Sequence, residues 1–193
     1  MSKGRLEAFS DGVIAILITI MVLELKIPEE TSWHALDAMK WKFATYVLSF
    51  VFLAIYWNNH HHLLQAIRRV NGKVLWANTH LLFWLSLVPF ATGWMGENHF
   101  APFPTAIYGV VLLCAAIAYT ILLSTILAYE GAESPLAQAM GSDVKGKLSM
   151  AIYAAAIPLA FVHQAVSDVL YVTVAMMWLV PDRRIETKIA GAP

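Results

Sequence analysis

The sequence predicts an all-α integral membrane protein of six transmembrane helices, organised as one domain over its 193 residues. Three observations carry that expectation. Hydrophobic residues make up 59% of the chain and charged residues 13%, whereas soluble domains run at roughly half apolar and about a quarter charged. Six segments approach the roughly 20 apolar residues that a helix needs to cross a bilayer. The basic residues fall mainly between alternate segments, which fixes an orientation.

The first segment runs from Gly12 to Leu23 and, like the sixth, spans only if its polar flanks sit at headgroup depth. Lys3 and Arg5 precede it as in a secretory signal. Glu24, Leu25 and Lys26 stand where a small-residue cleavage site belongs, so a retained span is expected. The second segment covers Phe43 to Trp57, and the third Val74 to Trp94 with His80 as its one ionisable side chain. The fourth, Pro104 to Tyr129, is the clearest. The fifth, Leu148 to Val162, contains Pro158 as an expected kink, and the sixth, Val169 to Val180, is followed by Pro181. Between the first two, Pro28 to Lys42 carries Trp33, Leu36, Met39 and Trp41 among charges. That pattern fits a short interfacial helix or an irregular loop. Glu130 to Lys147 reads as a solvated loop.

With the N-terminus inside, the inner segments hold Lys3, Arg5, Arg68, Arg69, Lys73, Lys145, Lys147, Arg183, Arg184 and Lys188. The outer segments hold only Lys26, Lys40 and Lys42. The positive-inside rule therefore places both termini in the cytoplasm of a multi-pass cell-membrane protein. The chain is formally neutral, so no basic field argues for nucleic acid. Cys114 is the single cysteine and lies inside an apolar run, so it is read as a small packing residue. No segment is large enough to form a soluble catalytic domain, and no enzyme activity, catalytic residue, cofactor or small-molecule substrate is implied.

The most informative stretch is Arg5-Leu-Glu-Ala-Phe9-Ser10-Asp11-Gly12-Val13. Ser10 and Asp11 stand where helix capping would put them, with an oxygen acceptor and a negative charge near free backbone N–H groups. Capping alone requires neither Arg5 nor Phe9. A second cluster, Asn58-Asn59-His60-His61-His62, raises a metal site. Successive helical side chains diverge by about 100°, so three adjacent histidines do not converge on one ion. Polar bonding at the cytoplasmic headgroup layer, to Asp11 or Arg5, is the expectation instead. His80 is expected to be a hydrogen-bonded interhelical donor. Ala151 and Ala155 offer a small-x-x-x-small surface for close helix approach.

Arg5, Phe9, Ser10 and Asp11 resemble the R-x-x-x-F-S-D pattern of the transmembrane protein 175 family of potassium channels. Gly12-Val13-Ile14-Ala15-Ile16 through Leu25-Lys26-Ile27-Pro28 is similar to that family's first helix. Trp57-Asn-Asn-His60-His61 and Leu87-Val-Pro89-Phe90 extend the likeness into the second and third segments. The resemblance implies a six-helix repeat, four chains around a central pore, and a first helix that lines it. Potassium would be the permeant ion, and membrane lipids and three further copies the partners. It places the hydrophobic gate at Ile16, joined by Ile20 and Leu23, and an ion-coordinating layer at Thr19.

At 100° per residue, Gly12, Val13, Ile16, Thr19, Ile20, Leu23 and Ile27 fall within an arc of about 120°. The opposite face holds Ile14, Leu17, Ile18, Met21 and Leu25, so the helix is apolar all round and its periodicity does not choose the pore side. Two other readings stand beside the channel. A proton-coupled transporter needs ionisable groups near mid-membrane, where the segments offer only His80. A membrane metalloenzyme needs further histidine boxes, and His34, His80, His99 and His163 are isolated.

Overall fold

A computed structural model describes residues 2–67, 69–131, 134, 136–137 and 143–179. The described residues form helices and turns, with no strand among them. Arg68, Ser142, the end of the sixth segment at Val180 and Pro181, and the basic residues Arg183, Arg184 and Lys188 lie outside the described residues.

Helix α1 spans Lys3–Ile20 and tightens into a 3-10 turn at Met21–Glu24. It begins earlier than the apolar run, with Ser2 at its N-cap, so Ser10 and Asp11 lie inside the helix and cap nothing. Lys3 supports this first stretch. Its ammonium lies 3.8 Å from Glu7 one turn on and donates to the Gln65 carbonyl at 2.8 Å. A cation at the carbonyl end of another helix is favourable.

The connection that follows contains α2 (Trp33–Ala38), capped by Ser32, whose hydroxyl accepts from the Ala35 N–H at 3.2 Å. Trp33 and Leu36 are exposed on it. Met39 separates α2 from α3 (Lys40–Gln65). The third segment is two helices, α4 (Gly72–Ser86) and α5 (Val88–Glu97). Pro89 lacks an N–H and its ring crowds the carbonyl four residues back, so the ladder stops at Leu87 and restarts. Asn71 caps α4 by accepting from the Val74 N–H at 2.9 Å. Helix α6 (Pro102–Glu130) ends at Gly131, whose φ of 91° suits glycine.

Helix α7 (Val144–Val162) is capped by the Asp143 carboxylate, 2.9 Å from the Gly146 N–H, and runs through Pro158. His163 alone joins it to α8 (Gln164–Leu179). The expected sixth span began at Val169. The helix starts five residues sooner because Gln164, Ser167 and Asp168 are helical although polar. Ser167 is buried and donates to the Ala156 carbonyl of α7 at 2.9 Å.

Four segments are long and apolar enough to cross a membrane by length and composition: Lys3–Glu24, Gly72–Glu97, Pro102–Glu130 and Val144–Val162. Helix α3 has 26 residues but carries Trp, Tyr, Asn and His along its length, and α8 has 16.

Helix α6 is the hub, packed against α4, α5, α7 and α8. Where it meets α8, a Cβ at Gly109 would fall on the Tyr171 hydroxyl, so this crossing requires glycine. Tyr171 in turn donates to the Thr105 carbonyl at 3.1 Å and meets Tyr108 edge-on at 5.6 Å. A Cβ at Gly96 would lie 3.0 Å from the Lys42 Cα, so α5 also closes tightly on α3. Ala151 and Ala155, read as a packing pair, are exposed, and α7 turns Ser149, Tyr153, Ala156 and Ala160 inward instead. Helix α1 packs mainly against α3 and α4 and is left open on its other side.

Candidate functional site

The two faces of α1 have opposite fates. Leu6, Ser10, Ile14, Leu17 and then Met21 are buried against the bundle. On the other side, Arg5, Phe9, Gly12, Ile16, Thr19, Ile20 and Leu23 are exposed, and at 100° per residue they fall within an arc of about 100°. Ile16 is 57% exposed and Leu23 75%, against 0% for Ile14 and 8% for Leu17. From Phe9 onward the stripe is apolar and uncovered, with the one hydroxyl of Thr19. Thr19 donates that hydroxyl to the Ile16 carbonyl at 3.0 Å, which leaves the oxygen's lone pairs free to accept.

The Arg5-to-Asp11 motif divides between these faces. Asp11 accepts from the Trp57 indole N–H of α3 at 3.0 Å. Ser10 accepts from the Asn78 amide of α4 at 3.0 Å. Arg5 and Phe9 instead point outward, and Arg5 has no ion pair among the described residues. Arg5 and Asp11 therefore do not pair with each other within the chain. Six residues along a helix is about 600°, which leaves the two side chains about 120° apart.

The histidine cluster is corrected in the same way. His60 is buried, 1% exposed, and bonds Asn78 at 2.6 Å rather than Asp11 or Arg5. Since the Asn78 amide nitrogen donates to Ser10, its oxygen is the acceptor and His60 Nε2 carries the hydrogen. His60 Nδ1 is buried without a partner. His61 stacks on Trp57 with ring centres 5.7 Å apart and meets the Gln65 amide at 2.8 Å. His62 meets the edge of the His61 ring at 5.8 Å, while His60 turns inward to Asn78. Among the described residues no group of three His, Cys, Asp or Glu side chains is placed to hold a metal ion. His80 is exposed and accepts from the Trp84 indole of its own helix at 2.9 Å, so it is not an interhelical donor.

Sequence reasoning missed Asn78, the centre of the Ser10–Asn78–His60 chain. It is a lone amide in the apolar third segment, and a buried polar group inside a span is a signal in itself. It also missed a second buried set nearer the middle of α3, where Thr92 donates to Ser49 at 2.6 Å and Ser49 meets Tyr108 at 3.0 Å. Asp168, just outside the expected sixth segment, lies within α8, with one carboxylate oxygen buried and unpartnered.

Because Trp57 holds Asp11 through an accepting oxygen, Asp11→Asn should be tolerated. Asp11→Ala should cost about 1 kcal/mol, the usual worth of one partly exposed bond. Thermal unfolding in detergent checks this, and equal losses in both variants would show that the charge, not the bond, matters.

These features define a class: a polytopic membrane bundle in which the first helix is pinned by polar bonds at one end and offers a continuous apolar stripe outward. Comparison with known proteins makes the assignment specific. Residues 5–89 match the family described as endosomal/lysosomal potassium channel TMEM175. A protein from Chryseobacterium named a potassium channel is 53% identical over 186 residues, covering 96% of this chain and 97% of that one. The zebrafish protein named endosomal/lysosomal proton channel TMEM175 is 27% identical over 139 residues, 69% of this chain but 26% of its own length. The crystal structure of a lysosomal potassium-selective channel TMEM175 homolog from Chamaesiphon minutus superposes with a TM-score of 0.82 at 25% identity, covering 93% of this chain and 97% of that one. The chain belongs to the TMEM175 family, which is a family of ion channels and not of enzymes.

Proposed function

We propose that the chain is one subunit of a potassium-permeable channel that conducts down the electrochemical gradient. Its six spans are α1, α3, α4 with α5, α6, α7 and α8. Four copies associate so that the open stripe of each α1 faces a common axis. Ile16, Ile20 and Leu23 form an apolar neck there, and Thr19 supplies oxygens that partly replace the ion's hydration shell. No cofactor takes part, and potassium is cargo.

The observation that carries this reading is the uncovered stripe from Gly12 to Leu23 on a helix whose opposite face is buried. One α1 per chain cannot enclose a pore, so symmetric association is needed. The names of the Chryseobacterium and Chamaesiphon relatives support the ion. The transporter reading gains little from Asp168. It is the fifth residue of α8, about 6 Å from the helix start and far from mid-membrane.

The test is planar-bilayer recording of purified protein under asymmetric potassium and sodium, with native mass measurement of the same sample. Unitary currents that reverse near the potassium potential, from a particle of four chains, are expected. Saturable carrier flux, or a conducting monomer, would overturn the proposal.

The same assembly has both termini in the cytoplasm. In a Cys114→Ser background, Asn98→Cys should react with an impermeant maleimide from outside only, and Ser142→Cys from inside only. The reverse pattern would invert the topology.

A further inference from the structure

Between α4 and α6 the surface opens into two adjoining depressions of about 470 and 820 Å³ that share Asn71, Lys73, Ile121 and Thr125. They form one groove. At its mouth stand Lys73 and Asn71 from the start of α4 and Tyr129 from the end of α6. Further along the two helices lie Trp76, Ile121 and His80, the last about 10 Å beyond Lys73 along α4. Because α4 and α6 belong to membrane-spanning segments, the groove faces either lipid or another chain.

We propose that this groove binds one anionic phospholipid, its phosphate at Lys73 and an acyl chain along Trp76 and Ile121. Lys73 and the neighbouring Arg69 are exposed, and neither has an ion-pair partner among the described residues. Among the described acidic residues at this end of the bundle, Glu7 pairs with Lys3, Asp11 accepts from Trp57, Asp143 caps α7, and Glu130 is engaged as well. None of these groups pairs with Lys73, so its ammonium is open to a lipid phosphate. The rings match a headgroup boundary. Trp76 is 77% exposed and Tyr129 44%, and such amphipathic rings favour the membrane interface. Hydroxyls line the wall beside them at Ser124 and Thr125, and Ala77 and Ile121 supply apolar wall further along.

This inference rests on membrane insertion alone and is independent of ion conduction. The test uses protein in phosphatidylcholine vesicles doped with brominated phosphatidylglycerol or with brominated phosphatidylcholine. The Trp76 contribution to tryptophan quenching is read as the difference from Trp76→Phe. Brominated phosphatidylglycerol should quench Trp76 at about one fifth the mole fraction that brominated phosphatidylcholine needs, as expected for one basic contact at the surface. Lys73→Ala should abolish that preference and Lys73→Arg keep it. Inorganic phosphate in excess should leave the quenching unchanged, since a headgroup without its chain lacks the lower contacts. Equal quenching by the two lipids would overturn the anionic site. Absence of Trp76 quenching by either would show that protein covers the groove, and displacement by inorganic phosphate would assign the site to free anions.

Discussion

Ile16→Asn is expected to raise potassium current about tenfold, the effect of lowering a barrier by about 1.4 kcal/mol, and to bring sodium permeability close to that of potassium. In the proposed assembly four Ile16 side chains meet at the neck, and Leu23 lies about 10 Å further along the axis. Branched alkyl groups at such a constriction disfavour a continuous water column, so an ion passes only after shedding part of its shell. An amide in their place offers both donors and acceptors, wets the neck and removes the selective dehydration. The control is Ile18→Asn. Ile18 packs against the hydrophobic core, so an amide there disturbs the fold and lowers yield without a gain in current. Both variants are recorded at matched protein density. Unchanged conductance in Ile16→Asn with altered conductance in Ile18→Asn would mean that the stripe faces lipid and the pore lies elsewhere.

The choice between those two isoleucines shows what the sequence could and could not reveal. Composition and charge spacing were enough to read a membrane bundle, because burial in lipid needs long apolar runs whatever the packing. The faces of α1 were not legible, since Ile14, Leu17 and Met21 are as apolar as Ile16, Ile20 and Leu23. Only the neighbours distinguish them: α3 and α4 cover one side and leave the other open. Helix starts were displaced for a related reason. An apolar run marks the lipid-facing length, but Lys3 to Asp11 and Gln164 to Asp168 are helical through polar residues that meet other helices or the surface. The R-x-x-x-F-S-D motif was visible as a unit. Its division, with Ser10 and Asp11 bonded inward and Arg5 and Phe9 outward, needed the positions of Trp57 and Asn78, which lie 46 and 68 residues away from their partners. Arg5 and Phe9 share the arc of the proposed pore stripe, so the same association that covers Ile16 would bring a neighbouring subunit to them.

Asn78→Leu should destabilise the protein by about 1–3 kcal/mol, the cost of leaving buried polar groups without partners. Leucine has asparagine's branching but bulkier methyl groups, so no cavity forms and the loss combines unsatisfied polar groups with some overpacking at this buried site. His60 Nε2–H, already beside an unpartnered Nδ1 on the same ring, loses its acceptor, and the Ser10 hydroxyl loses its donor. A single interhelical bond in a membrane protein averages only about 0.6 kcal/mol, so most of the effect comes from the two stranded groups. That separation is testable. The triple variant Ser10→Ala, His60→Leu, Asn78→Leu removes every member of the chain and should recover a large part of the stability lost in Asn78→Leu alone. Thr79→Val is the neighbouring control, because Thr79 is exposed and bonds only the Leu75 carbonyl of its own helix. Thermal unfolding midpoints in one detergent, read by size exclusion after heating, give the comparison. If Asn78→Leu unfolds with the wild type, the buried chain does not hold α1 to α3 and α4, and the orientation of the exposed stripe must depend on apolar packing at Ile14 and Leu17 instead.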